Sequence, residues 1–175
     1  FAGDPEELFW RLAPASCAPH AAFLDCGRTA IVSLSPELFF RREGERLVMR
    51  PMKGTRPRGR FTAEDAGQAA ALAGSAKERA ENLMIVDMVR NDLGRIAAPG
   101  SVEVESLMAL ERYPTVWQMT STVAARTAAS LPEIFAALFP CASVTGAPKA
   151  RTMEWIARLE RRPRGIYCGA IGWVA

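Results

Sequence analysis

Four cations, Lys53, Arg56, Arg58 and Arg60, crowd into the ten residues from Pro51 to Arg60 together with Gly54, Thr55 and Gly59. Fixed positive charge beside glycines, where a backbone can come close, supplies the ingredients of a site for an acidic small molecule. Lys53 differs from its neighbours, because it stands between the stiff Pro51-Met52 step and the flexible Gly54-Thr55 step. A lysine so held can act as a nucleophile. The same composition also suits a solvated basic loop.

A second glycine-containing segment, Ser143-Val-Thr-Gly-Ala-Pro-Lys149, runs into a helix start marked by Pro148. Backbone N–H groups near Gly146 and Ala147 would face whatever binds there and suit a carboxylate, although an ordinary helix start has the same pattern. The helical stretch 77–93 carries Glu78, Glu81, Asp87 and Asp92. Glu81 and Asp92 are separated by about three turns and share a face. One or two such carboxylates, with water and ligand oxygens, can hold a hard cation such as Mg²⁺. Pairing with Lys77 or Arg90 would instead leave them as solvent-facing acids.

Composition removes other chemistries. His20 is the single histidine, so a Ser-His-Asp or Cys-His triad or a two-histidine metal site has little to build on; beside Pro19 it reads as a strand-edge residue. Any glutamine-hydrolysing triad must then use His20 or sit on another chain. A formal charge of +3 is too small for a protein that lives on a phosphate backbone, and aromatic residues do not interleave with the basic segment as a base-stacking platform requires. Cys17, Cys26, Cys141 and Cys168 form no C-x-x-C pair, which fits a reduced, cytoplasmic setting. No apolar run reaches 18 residues, and Asp4, Glu6 and Glu7 stand where a signal peptide would be basic. With 49% hydrophobic residues in 175, the chain can bury a sizeable core. Its abrupt start at Phe1 and its end in Gly169 to Ala175 lead us to expect an internal portion of a longer polypeptide.

Positioning these residues falls to short elements. Asp4 and Pro5 open a helix that should end before Pro14. The runs 21–25, 29–34, 37–42 and 46–50 predict an antiparallel meander, and the breakers in 51–60 predict a loop. A helix over 62–93, interrupted near Gly74 and stopped by Gly94, should follow, then strands over 101–107 and 116–124. Helices over 131–139 and 148–160 and a strand over 165–175 complete an α+β chain without repeats.

Six ordered segments now carry a resemblance: SLSPELFF (33–40), RPMKGTRPRG (50–59), ENLMIVDMVRNDLGRI (81–96), RYPTVWQMTSTV (112–123), SVTGAPKARTMEWI (143–156) and RGIYCGAIGW (164–173). Together the chain resembles the chorismate-utilising enzymes, the family of anthranilate synthase component I, aminodeoxychorismate synthase component I and isochorismate synthase. The resemblance implies antiparallel sheets in two layers flanked by helices, with residues 1–175 forming part of one chorismate-binding catalytic domain truncated at both ends. Downstream parts of the family site, including a second Mg²⁺ glutamate, would lie outside this piece, so activity is an expectation for the intact polypeptide.

Anthranilate synthases typically have alanine where this sequence has Lys53, so the lysine implies the branch that aminates chorismate at C4, toward 4-aminobenzoate and folate. The implied mechanism is covalent, with Lys53 attacking C2 of the ring, the C4 hydroxyl departing, and ammonia adding at C4. By the same resemblance Glu37 is the acid/base for hydroxyl departure and Glu81 a Mg²⁺ ligand. Thr145, Gly146 and Ala147 line the substrate site, and Tyr167 stands near the pyruvyl group. Lys149 matches the motif but also reads as structural. Gln118 replaces a histidine common in anthranilate synthases, which favours amination without aromatisation, and Cys141-Ala142 replaces a Gly-Gly step. Ammonia would come from a glutamine amidotransferase, as a subunit or fused domain. The alternatives are anthranilate synthesis, or a non-catalytic domain that only docks an amidotransferase.

Overall fold

The structure, a computed structural model, describes residues 2–175. Contacts divide the chain into two compact units, one of residues up to 38 with 171–175, the other of residues 39–170.

In the first unit, helix α1 (Pro5–Ser16) starts where expected: Asp4 Oδ1 accepts from the Glu6 N–H at 2.8 Å, and Pro5 lacks only a hydrogen that no helical carbonyl would accept. The helix does not end before Pro14. That proline lies in the last turn, so it forfeits a single backbone bond, and Cys17 closes the helix in the left-handed region (φ 47°) with its N–H on the Ala13 carbonyl. Strands β1 (His20–Asp25) and β2 (Ala30–Ser35) form an antiparallel hairpin, turned at Gly27 (φ 77°) under the Asp25 carboxylate. Phe9 of α1 is buried and packs on Phe23 of β1, with ring centroids 5.9 Å apart.

The second unit is built on an antiparallel sheet of β3 (Leu38–Glu43), β4 (Arg46–Arg50), β5 (Met52–Pro57), β6 (Glu103–Arg112) and β7 (Val116–Arg126). The expected meander is thus two hairpins in two sheets; Pro36, between β2 and β3, has no N–H to carry a ladder across. β7 is the hub. β6 lies along one of its edges, while β4 and β5 occupy the other end to end, joined at Pro51, whose carbonyl accepts from the Ser121 N–H.

Residues 51–60 therefore do not form the predicted loop. Pro51 precedes β5 and Pro57 is its last residue, so neither interrupts it, and the open edge of β7 supplies the partner that lets this glycine-containing segment extend. Helices α2 (Thr62–Gly74) and α3 (Ala76–Gly94) bear out the interrupted helix, with Ser75 as the break and the N-cap of α3. Gly94 does not stop α3 by a positive φ; α3 ends in a tightened turn in which Arg95 N–H bonds the Asp92 carbonyl. α3 buries Asn82, Ile85, Val86, Val89, Asp92 and Leu93, a helical stripe facing the sheet. Val86, Val89 and Leu93 meet Leu47, Val123 and Leu138 in the core, each fully buried aliphatic contributing roughly 2 kcal/mol.

Helix α4 (Leu131–Leu138) carries a reciprocal capping box between Ser130 and Glu133, and α5 (Lys149–Leu159) follows a short 3₁₀ turn at Ala142–Val144. The strand expected over 165–175 is absent. Two turns, Tyr167 N–H to Arg164 O and Gly169 N–H to Ile166 O, fold its start, and no described strand pairs with the rest, so its alternating pattern has no ladder to join. Antiparallel sheets carrying helices confirm the α+β class.

Candidate active site

Lys53 lies in a β-bulge. Met52 pairs with Thr120 in the register that β4 already follows, but Thr55 pairs with Gln118, so Lys53 and Gly54 together face the single residue Met119. Bulges of this kind re-aim a side chain and break the local ladder. Gly54 adopts φ 100°, and a Cβ there would sit 3.2 Å from the Cβ atoms of both Glu78 and Met119 and 3.3 Å from Leu72 Cδ1. Only glycine lets α3 press this closely on β5.

Across that contact reaches Asn82, which is completely buried. Its Nδ2 donates to the Lys53 carbonyl and to the Met119 carbonyl, each at 3.2 Å, and its Oδ1 accepts from Ser121 Oγ at 2.6 Å. Ser121 Oγ accepts in turn from the Met108 N–H at 2.9 Å. Met108 (φ 57°) belongs to a second bulge, where Leu107 and Met108 of β6 face Ser121 alone.

Glu81 precedes Asn82, so the structure brings Lys53 and Glu81 to the same junction of β5 and α3. Lys77 Nζ lies 3.5 Å from a carboxylate oxygen of Glu78 and 3.5 Å from one of Glu81. These two acids raise the Lys77 pKa, Glu78 contributing most. This is the pairing with Lys77 that leaves Glu81, its side chain 41% exposed, a solvent-facing acid; Mg²⁺, which habitually takes one or two carboxylates and fills the rest with water and ligand oxygens, would have to displace that ammonium to be held here. Among the described residues no three acidic, histidine or cysteine side chains cluster. Asp92, although on the face of Glu81, is claimed elsewhere: Lys149 Nζ binds its Oδ2 at 2.8 Å and the Leu138 carbonyl at 3.1 Å. The chain has three lysines. Lys77 and Lys149 stand in ion pairs, and Lys53 is the one that the ion pairs of the described residues leave out.

The arginines after Lys53 divide their work. Arg58 grips Asp65 of α2 through two bonds, at 2.7 and 2.6 Å, stacks over Trp117 and donates to the Tyr113 carbonyl. Asp65 also accepts from the Gly59 N–H and from Trp117 Nε1, both at 2.9 Å. The guanidinium foremost, then these two donors, hold the Asp65 carboxyl far below the usual carboxylate range, and Asp65 raises the Arg58 pKa in return. Arg58 is therefore a clamp that pins the end of β5. Gln118 is oriented by Thr55, whose hydroxyl donates to Gln118 Oε1 at 2.9 Å. Glu111 gathers Arg50, Thr120 Oγ1 and Tyr113, and burial together with Glu111 raises the Tyr113 pKa.

Thr145 and Tyr167 meet on an open cavity of about 550 Å³. Val144, Met153 and Ile156 supply apolar wall, and Arg161 and Arg162 supply charge. Gly146 takes φ 131°, and the space of a Cβ there is filled by Thr152 Cγ2 at 3.1 Å; Ala147 leads through a cis bond into Pro148. α5 has no side-chain cap. Cys141 and Ala142, which stand where a Gly-Gly step was expected, need no positive φ; Cys141 has φ −57° and Ala142 is buried. The Lys149–Asp92 pair fastens this loop to α3 ten residues beyond Asn82, about 15 Å along the helix. Glu37, half-buried in the first unit, has its N–H on Ser35 Oγ.

Sequence reasoning passed over Asn82, Ser121, Asp65 and Trp117. The available signal was Asn82 on the stripe of Ile85, Val86, Val89 and Leu93, since a polar residue on a buried helix face needs dedicated partners.

The sequence model of the family described as chorismate binding enzyme matches residues 1–175. The chain belongs to that family. It is 49% identical to an aminodeoxychorismate synthase of Streptomyces pristinaespiralis, over 98% of this chain and 24% of that protein. It is 48% identical to aminodeoxychorismate synthase component 1 of Salmonella typhimurium, over 100% of this chain and 39% of that protein. The crystal structure of anthranilate synthase component I from Streptococcus pneumoniae superposes with a TM-score of 0.88 at 33% identity, covering 98% of this chain and 38% of the other. The chain thus spans less than half the length of the relatives it matches.

Proposed function

We propose that the full-length protein carrying this chain aminates chorismate at C4 to give 4-amino-4-deoxychorismate, the precursor of 4-aminobenzoate and folate. One observation carries the reading: Lys53, outside the described ion pairs, sits in a bulge against the helix that bears Glu78 and Glu81. The 48–49% identity to aminodeoxychorismate synthases supports it.

In this reading the Lys53 amine forms a bond to C2 of the ring as the C4–O bond breaks, and Glu37 gives the departing hydroxyl its proton, so water leaves. Ammonia then bonds to C4 and the lysine amine leaves C2, restoring Lys53. Chorismate and ammonia enter; aminodeoxychorismate and water depart. Mg²⁺, which Glu81 would hold with Glu78 beside it, supplies positive charge to the ring carboxylate. Thr145, Gly146, Ala147 and Tyr167 shape the substrate end of the site. Ammonia arrives from a glutamine amidotransferase, as a subunit or a fused domain. No helix of the described residues is long and apolar enough to cross a membrane. The four cysteines are unpaired, in keeping with the reduced, cytoplasmic setting of this reading.

The test is to incubate the full-length protein with chorismate and Mg²⁺ but no ammonia, then digest it and weigh the peptides. The expected species is the Lys53 peptide plus chorismate less one water, missing from Lys53→Ala. An unmodified Lys53 together with full activity of Lys53→Ala sinks the covalent reading. The likeness to the Streptococcus pneumoniae anthranilate synthase favours a second reading, anthranilate synthesis, and anthranilate as main product would select it.

A further inference from the structure

We propose that Asn82 is a positioning residue for amination: it holds the backbone of Lys53 and ties it to the carboxylates of α3. This rests on the reading of Lys53 as nucleophile and adds the group that aims it.

A bulge leaves ladder groups without their usual strand partners, and such groups are costly when buried. Here the Lys53 and Met119 carbonyls, on neighbouring strands, both receive their hydrogen from one side chain, Asn82 Nδ2. Both amide hydrogens are thereby used, and Oδ1 is occupied by the Ser121 hydroxyl, so no rotation of the amide preserves the set. Ser121 passes the constraint on to the Met108 N–H in the bulge across β7. Asn82 and Ser121 are each 0% exposed. One buried relay therefore fixes two irregular points of the sheet, and Glu81 is bonded directly to the residue that does so. Without this amide, β5 keeps its pairing at Thr55 to Pro57 and β4 keeps its own, yet the two residues between them lose their anchor.

Catalysis is sensitive to such a release, since misplacing a reacting group by about 1 Å can cost about 10²-fold in rate. Asn82→Leu conserves volume and removes every bond of the amide. Ser121→Ala is the milder companion, breaking the relay while leaving both Nδ2 bonds in place.

The experiment has two arms on the full-length protein. In the first, amide hydrogen exchange without substrate should quicken about 10-fold or more at residues 53–55 in Asn82→Leu, and less in Ser121→Ala, with residues 46–49 of β4 unchanged. Unchanged exchange at 53–55, or an equal rise in β4, would overturn the proposal. In the second, kcat for amination should fall about 10²-fold with KM for chorismate within about 2-fold. Lys53→Ala/Asn82→Leu should be no slower than Lys53→Ala, because Asn82 acts through Lys53. Multiplicative losses beside an impaired Lys53→Ala overturn this proposal alone, whereas full activity of Lys53→Ala overturns the nucleophile reading and this proposal with it. If Asn82→Leu fails to fold, Ser121→Ala decides both arms, and wild-type exchange and kcat in Ser121→Ala refute the relay.

Discussion

Gly54→Ala isolates the contact on which the site depends. The backbone there has φ 100°, and the new methyl would meet Glu78 Cβ and Met119 Cβ at 3.2 Å and Leu72 Cδ1 at 3.3 Å. Holding a residue with a side chain in that region costs on the order of 1–3 kcal/mol, and forcing one carbon into a packed junction on the order of 1–3 more. The expected destabilisation is about 2–6 kcal/mol. Gly100→Ala is the control: φ is 74° with nothing within 4 Å of the added carbon, so only the backbone cost of about 1–2 kcal/mol applies. Equilibrium urea denaturation of the full-length variants reads both, as midpoint shifts at constant slope. Amination by Gly54→Ala should drop as well where the clash is relieved by a shift of the bulge that carries Lys53. A Gly54→Ala variant no less stable than Gly100→Ala would refute the close packing of β5 on α3.

Other expectations follow from the ion pairs. Lys149→Met leaves Asp92, its side chain only 9% exposed, without its cation; it should cost about 2–4 kcal/mol in denaturation, be largely restored by Asp92→Leu in the same chain, and leave KM for chorismate nearly unchanged. A large KM change without loss of stability would place Lys149 on the substrate instead. For Asp65, the folded carboxyl is held below its unfolded value, chiefly by Arg58, so the unfolded state takes up protons first as pH falls. The stabilisation is complete above the ordinary carboxylate pKa of about 3.9 and is lost on acidification below it. Asp65→Asn should be the less stable protein at pH 7 and show a shallower decline between about pH 5 and 2; equal slopes by urea denaturation at each pH would contradict the clamp.

The elements of the chain were largely legible where their boundaries are chemical: Asp4-Pro5 starts a helix, and Gly74 marks the interruption that Ser75 caps. β5 was not legible, since proline, glycine and charge dominate its ten-residue neighbourhood and its strand character comes from β7, sixty residues downstream. Residues 165–175 failed in the opposite sense, with a strand-like pattern but no edge to pair with. Of the candidate site, Lys53, Glu81 and the Thr145 to Ala147 loop were readable from residue type, spacing and resemblance. What holds them was hidden. Asn82 looks like any polar helical residue until α3 packs on a bulge, and Asp92 looks like a companion of Glu81 until the fold delivers Lys149 to it.

Amination at C4 through Lys53 is decided by product identity. The full-length protein is given chorismate, Mg²⁺ and ammonium beside its Lys53→Ala variant, and the products are separated by chromatography and weighed. The native protein should yield 4-amino-4-deoxychorismate, and the variant should lose about 10³-fold or more. Anthranilate as the main product, or undiminished aminodeoxychorismate from Lys53→Ala, would contradict it.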